Sequence, residues 1–390
     1  MNHQKVLIIG GGIGGLTLQL ALRNQGLMAE VFERRSEFSE VGSGVVMAPN
    51  GMKALDRLGH GVGAAVRRVG KPDDGTYPFP FLNATGKVQS LVTDFAAYEQ
   101  KYGAPIVAIL RQQLYKILLD AVDPAQLHVG AKLTHFVDDG QTVVAHFEDG
   151  RTATGDLLVG CDGLYSTVRQ QLFGAGAPDY TGYTSIRGVV YHLDHPYGKS
   201  GFLTVGQGMQ MFSSPVADGG LYWVATPVAP ERAWPREPAA ACARLLERLA
   251  GWHEPNRQMV EQSDPSTIVV TDIYDRKPLT TWSKGRVTLL GDAAHPMTPF
   301  QGQGANMAVE DAVCLADALH GATTPTEAFS AYEARRLQRS YQVVQQSRQF
   351  GQLGLIKNPM VYWLIEKLFP LMMKFVDQEK QDRWLFGYQP

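Results

Sequence analysis

Residues 5–33 constrain this chain more than any other stretch. KVLII at 5–9 is a short unbroken apolar run, the pattern of a parallel strand buried on both faces. Gly10, Gly12 and Gly15 follow at once as G-x-G-x-x-G. LTLQLALRNQG then repeats with helical periodicity up to Gly26, a residue suited to a C-terminal cap, and AEVFERR reads as a second strand. Together these make a βαβ unit of about thirty residues. In that setting Gly10 allows a tight turn, Gly12 lets the backbone approach a pyrophosphate, and Gly15 lets helix and strand pack closely. The amides around Ile13 and Gly14 open the helix, whose positive end attracts phosphate. Glu33 closes the second strand, where an adenosine ribose diol needs an acceptor. The unit predicts a bound dinucleotide without distinguishing FAD from NAD(P).

The chain of 390 residues has room for two or three domains. Residues 127–160 alternate apolar and polar, punctuated by Asp139-Gly140 and Asp149-Gly150, and predict an antiparallel meander returning to a buried strand at 156–160. The pattern is again strand-like over 183–225. EPAAACARLLERLAG is a helix, VTLL at 287–290 another buried strand, and everything after Asn306 reads as helix. A net charge of −2 leaves no basic excess for a phosphate backbone, which argues against nucleic acid as a partner. No apolar run reaches the ~18–20 residues of a membrane span. The N-terminus reads as strand and turn rather than signal peptide. Three widely spaced cysteines, Cys161, Cys242 and Cys314, form neither a disulfide framework nor a zinc site, and His192 and His195 lack a third ligand, so no metal is expected. The expected compartment is the cytoplasm.

Two further motifs bear on the cofactor: GDLLVGCDGLYSTVR at 155–169 and GRVTLLGDAAHPMTPFQGQGANMAVEDA at 285–312. Asp292 sits at the carboxyl end of the VTLL strand, where a doubly wound sheet keeps its ligand crevice. Gly302, Gln303 and Gly304 precede a helix beginning near Asn306, whose free amides suit an anion. With the glycine fingerprint, these motifs resemble the class A flavin-dependent aromatic monooxygenases, the para-hydroxybenzoate and salicylate hydroxylase family. The resemblance spans nearly the whole chain and implies an α/β fold: a Rossmann-like FAD-binding domain with an inserted β-sheet substrate domain and C-terminal helices. The implied divisions are 1–70, 101–176 and 268–330 for FAD, 71–100 and 177–267 for substrate, and 331–390 for the helical end.

The resemblance also implies roles. Asp292 contacts the ribityl chain of FAD, Pro299 lies beside the flavin ring, and the amides from Gly302 through Ala305 and Asn306 face the flavin N1–C2=O edge. Arg111 reaches the phosphate or ribityl region. Gly42, Ser43, Gly44 and Val45 match a segment passing over the flavin, with Ser43 in place of the usual alanine. Asp162 either helps hold FAD or pairs structurally with Arg169. Arg34 is expected to touch adenosine, and His295 to position neighbours rather than move protons. Arg187, Gln210, Tyr183, Tyr191, Met209, Met211, Phe212, Tyr222 and Trp223 are candidates to line the substrate site. Alternation puts Met209, Met211 and Ser213 on one strand face and Gln210 and Phe212 on the other, without saying which looks inward.

The implied reaction is FAD reduction by NADH or NADPH, O₂ activation as a flavin C4a-hydroperoxide, and hydroxylation of a small aromatic substrate by a monomer or homodimer. GMQMFSS carries no cation and Arg187 is the only good one nearby, so the expected ring is neutral and largely apolar. The rival readings are an epoxidase or Baeyer–Villiger-type enzyme acting on a polyene or polycyclic compound, and a non-enzymatic FAD redox sensor. The apolar tail PMVYWLIEKLFPLMMKFV is expected to cover the pocket or pack between domains, with membrane contact the alternative.

Overall fold

The first strand is central to a five-stranded parallel sheet ordered Val287–Leu289, Leu157–Gly160, Lys5–Ile9, Met28–Phe32, Leu127–His128. The computed structural model describes residues 4–37, 43–72, 78–92, 96–174, 176–197, 200–356, 358–373 and 377–390. Val6, Leu7 and Ile8 are fully buried, as a doubly covered strand requires. The helix Ile13–Asn24 packs on Gly304–Gly321 across one face. Gly26, at φ +74°, ends the first helix: the N–H of Leu27 reaches back to Leu22 O and that of Gly26 to Arg23 O.

Leu133–Asp138, Val143–Phe147 and Thr152–Gly155 form the antiparallel meander. Asp139 accepts from the N–H groups of Gln141 and Thr142, and Asp149 from that of Arg151, so each Asp-Gly turn is fastened by its own carboxylate. Leu127–His128 departs from the expectation, because it pairs with Met28–Phe32 at the edge of the parallel sheet.

The second large sheet has seven strands, ordered Val269–Asp275, Asp179–Tyr191, Gly220–Pro227, Met209–Pro215, Phe202–Gly206, Phe79–Asn83, Val88–Val92. Among the described residues of the stretch 71–100, only 79–92 joins it. Lys71–Pro72 pairs with Val107–Leu110, and Tyr98 of the helix Ala96–Tyr102 donates to Asp382 at the chain end. The back of the sheet carries Pro238–Arg248 and Glu254–Glu261, sealing a core of Ile186, Phe202, Met209, Met211 and Trp223. Its front faces the strands Gly44–Met47 and Val107–Leu110.

After the long helix Pro325–Gln352 comes the apolar tail, Pro359–Met373. Its Tyr362 hydroxyl donates to Val205 O at 3.1 Å. The helix touches the seven-stranded sheet through that side, and its other side is open: Met360 is 80% exposed and Trp363 58%. Among the described residues no helix is long and apolar enough to cross a membrane.

Candidate active site

The glycine fingerprint is built as its chemistry demands. Gly10 has φ +111°, its N–H donates to Phe32 O, and a Cβ there would lie 2.4 Å from Cys161 O. A Cβ on Gly15 would lie 1.9 Å from Gly10 O, and one on Gly14 2.8 Å from the Leu290 side chain. Gly12 differs: no atom lies within 4 Å of the place its Cβ would take, so the turn is open there. Ile13 is buried and opens the helix. Glu33 lies just past the second strand, where its carboxylate accepts from Gly11 N–H at 2.7 Å and Arg35 N–H at 3.0 Å. Arg34 is exposed. Sequence reasoning missed Tyr115, whose hydroxyl donates to Gly11 O at 2.7 Å from the helix Arg111–Ala121.

The third motif converges on the same crevice. The strand Val287–Leu289 ends at Gly291, φ +60°, and Asp292 follows exposed at the strand's carboxyl end. Pro299–Gln301 is a single tight turn, and Gly302 at φ +63° reverses the chain into the helix Gly304–Gly321. That helix starts two residues before Asn306, earlier than expected, because Gln303 takes the cap position. The amides of Gly304, Ala305 and Asn306 precede its first internal acceptor–donor pair, as at any helix start. Asp292 Oδ1 lies 4.0 Å from the place of a Gly304 Cβ, so the carboxylate and the helix start face each other. Pro299 is exposed.

Asn306 ties this loop to the strand Gly44–Met47. Its amide donates to Val46 O and Gly302 O, both at 3.0 Å, and its carbonyl accepts from Ala48 N–H. Gly44 is pressed against Tyr222, whose ring would be 2.4 Å from an added Cβ, and Val45 is half-buried. The exposed Arg111 joins the segment through its N–H to Ser43 O at 2.7 Å. Gly42 lies outside the described residues.

Asp162 and Arg169 do not pair, which corrects the structural alternative read from sequence. Asp162 caps the helix Thr167–Phe173, accepting from Ser166 Oγ and from the N–H groups of Thr167 and Val168. Burial pushes its carboxyl above the usual value. Arg169 is buried and donates to the carbonyls of Ala293, Ala294 and Lys277 at 3.0, 2.8 and 2.8 Å. Burial lowers its pKa to about 10. It is a strut under the turn that presents Asp292.

The opposite wall is the front of the seven-stranded sheet. The pairing of Arg187 with Val224 and of Val224 with Phe212 places these side chains on one face, with Val189 and Tyr222. Gln210 shares it and reaches Phe350 O at 3.4 Å. Arg187 donates to Thr271 Oγ1 at 2.8 Å. Tyr183 donates to Gly351 O and meets Phe300 edge-on at 4.9 Å. Met209, Met211 and Trp223 point backwards into the core, and Tyr191 is half exposed, so these four leave the lining. What remains apolar on that face is Phe212 and Tyr222 with Val189 and Val224 beside them, packed near Ala108 and Leu110 of the facing strand. Burial pushes the Tyr222 hydroxyl up to about 12.

The family described as FAD binding domain matches residues 3–347. The chain belongs to that FAD-binding family. This flavoprotein is 41% identical over 368 residues to aurachin C monooxygenase/isomerase of Stigmatella aurantiaca, covering 94% of each chain. It is 32% identical over 353 residues to 6-hydroxynicotinate 3-monooxygenase of Pseudomonas fluorescens, covering 87% of this chain and 89% of that one. The crystal structure of Klebsiella pneumoniae HpxO complexed with FAD and uric acid superposes with a TM-score of 0.88 at 27% identity, covering 99% and 98%. The protein is an FAD-dependent monooxygenase.

Behind the flavoprotein's loop lies a buried ionic cluster that sequence reasoning missed. Arg336 is shared between Glu310 and Asp311, with Nε 2.7 Å from Asp311 Oδ1. Arg339 Nε donates to Glu310 at 2.8 Å, and its Nη atoms to the carbonyls of Trp384 and Leu385. Asn50 bridges Glu310 to the Gln303 side chain. Asp311 also accepts from Gly291 N–H, and His295 Nε2 lies 2.5 Å from it. Burial alone would raise the Asp311 carboxyl, but His295 and Arg336 override it and hold it down at about 2. His295 thus positions its neighbours, as expected. The signal was present: two adjacent acids inside the apolar helical run MAVEDAVCLADAL.

Proposed function

We propose that this monooxygenase hydroxylates a small, neutral, largely apolar aromatic or heteroaromatic ring, with NADH or NADPH as electron donor and O₂ as oxidant. The observation that carries this reading is the apolar sheet face of Val189, Phe212, Tyr222 and Val224, packed beside Leu110, on a sheet whose Tyr183 meets Phe300 of the loop. Its nearest cation, Arg187, is held by hydroxyls of its own sheet. An anionic ring there would lose its hydration against apolar side chains and would have to draw Arg187 away from those hydroxyls.

FAD fits the crevice through the open turn at Gly12 and the helix start at Gly304. When bound, FAD accepts two electrons from the nicotinamide and activates O₂. Gly10, Gly12, Ile13, Gly14 and Gly15 form the pyrophosphate turn. Glu33 would accept from the ribose, with Arg34 beside the adenosine. Asp292 and Arg111 hold the ribityl side, and Asp162 steadies the neighbouring turn. Gly44 and Val45 pass over the ring. The amides of Gln303, Gly304, Ala305 and Asn306 would stabilise negative charge at its pyrimidine edge, whereas the N–H of Gly302, expected to join them, donates to Pro299 O within its own turn. Pro299 offers a rigid edge without an N–H. Arg187 and Gln210 orient the substrate, and the apolar wall excludes water from the reacting carbon.

The relatives support the heteroaromatic reading: one is named for 6-hydroxynicotinate, and HpxO was crystallised with uric acid. An epoxidase reading fits less well, because the chain covers only 48% of the length of rice zeaxanthin epoxidase. Three free thiols agree with a cytoplasmic enzyme. The test is substrate-stimulated NAD(P)H oxidation and flavin reduction across a panel of neutral heteroaromatics and benzoate-like acids. Neutral rings should accelerate reduction and yield hydroxylated product. Stimulation by carboxylated rings alone would overturn the proposal.

A further inference from the structure

The helix Pro359–Met373 wears its apolar stripe on the outside. Met360, Val361, Trp363, Leu364 and Leu368 are 80, 44, 58, 50 and 42% exposed, with Lys367 exposed among them. Their spacing, i, i+1, i+3, i+4, i+7, i+8, is that of one helical face. Tyr362 and Ile365, on the other side, are half-buried, and Tyr362 is anchored to Val205. Val205 pairs with Gln210, the residue that reaches Phe350 at the crevice. Phe350 and Leu355 are themselves 51 and 38% exposed. Exposed apolar side chains thus occur both at the end of the long helix, beside Gln210, and on the outer face of the tail helix.

We infer that this face docks the enzyme onto an anionic lipid surface, with the crevice rim turned toward the bilayer. Charge favours that occupant: the exposed Lys367 lies within the stripe, in a chain whose net charge is −2, and the sequence on either side of the helix adds two further lysines. Each lysine near an anionic leaflet is attracted to it. Size points the same way, since a standard protein interface takes ~800 Å² and ~20 residues from each partner, far more than one helical stripe supplies. A tryptophan with aliphatic neighbours and flanking lysines is the composition of a helix lying in the headgroup boundary. The helix is too short to span, so binding is peripheral and reversible. The inference is independent of which ring is hydroxylated, because it is read without substrate.

The experiment is co-sedimentation of the FAD-loaded enzyme with vesicles of phosphatidylcholine alone and of phosphatidylcholine with phosphatidylglycerol. The enzyme should partition to the mixed vesicles, less to the neutral ones, and release as salt is raised. Trp363→Ser and, separately, Met360→Asp should each weaken partitioning by about tenfold, from lost apolar burial and added negative charge. Both should keep bound FAD and the parent melting temperature. Met360 is so exposed that its variant tests the face even where Trp363→Ser folds poorly. The inference is overturned if the parent stays in the supernatant with both vesicle types or if Met360→Asp partitions like the parent. It is equally overturned if light scattering shows a dimer that Met360→Asp dissociates, since a second copy would then own the face.

Discussion

Arg336→Met asks whether the ionic cluster behind the flavin loop sets that loop. Arg336, Glu310 and Asp311 are each 0% exposed. Methionine replaces much of the lost volume but removes the cation that both carboxylates share. Breaking a buried pair by deleting one partner costs ~3–5 kcal/mol, because the remaining charge stays out of water. Glu310 keeps Arg339 and Asp311 keeps His295, which puts the loss at the lower end, about 3 kcal/mol. At ~2–4 °C per kcal/mol for a domain of 150–250 residues, the melting temperature should fall by roughly 6–12 °C. A second effect follows from connectivity. Asp311 holds Gly291 N–H and Glu310 reaches Gln303 through Asn50, so both ends of the loop loosen. FAD affinity should drop about tenfold, or ~1.4 kcal/mol. Thermal unfolding of apoprotein and a flavin-fluorescence titration read the two effects separately. Lys116→Met is the control, since its pair with Asp120 is 75% and 61% exposed and is worth ~0.5 kcal/mol at most. If Arg336→Met melts with that control and binds FAD like the parent, the cluster does not set the loop.

Gly12→Ala and Gly15→Ala should separate binding from folding. The first has no protein atom within 4 Å of its Cβ and should leave apoprotein melting unchanged while weakening FAD binding at least about tenfold, ~1.4 kcal/mol; equal FAD affinity would remove the pyrophosphate from that turn. The second puts a Cβ 1.9 Å from Gly10 O and should lower apoprotein stability outright, as denaturant midpoints will show. Asp311 predicts a pH dependence. Its carboxyl is held at about 2 against an ordinary 3.8, so its stabilisation is complete above the ordinary value and disappears as pH falls through the folded one. The displacement is worth about 2 kcal/mol, and Asp311→Asn should be less stable near neutrality with a shallower fall in urea midpoint from about pH 5 downward. An identical pH profile in the variant would contradict this.

What could be read from sequence were requirements satisfied locally. Gly15 answers to Gly10 O in its own turn, Gly10 to Cys161 at the end of the neighbouring strand, and Gly12 keeps the turn open, so spacing carries the geometry. Asp292 could be placed because a strand end and a doubly wound sheet together fix where a crevice lies. Arg169 was misread for the opposite reason. Its acceptors are main-chain carbonyls of Ala293, Ala294 and Lys277, and a carbonyl leaves no mark on the sequence, so the pair with nearby Asp162 stands there as one of two alternatives and is the one that fails. The strand Met209–Pro215 is apolar on both sides, and its inward face is decided by where Pro238–Arg248 and Glu254–Glu261 settle, which alternation alone does not encode.

The tail shows the same limit with consequences for function. An apolar stripe at helical spacing is what a core-facing helix also displays, and the strip 360–368 reads that way in isolation. Burial belongs to the other side: Tyr362 is half-buried with its hydroxyl on Val205 O, whereas Trp363 and Leu364 are exposed. The chain therefore leaves this apolar stripe in water. Unmatched, that arrangement forfeits ~25 cal/mol for every Å² left exposed, so the face gains most from an apolar phase that needs no shape complementarity. A lipid surface is such a phase, and it would lie beside the rim through which an apolar ring must enter.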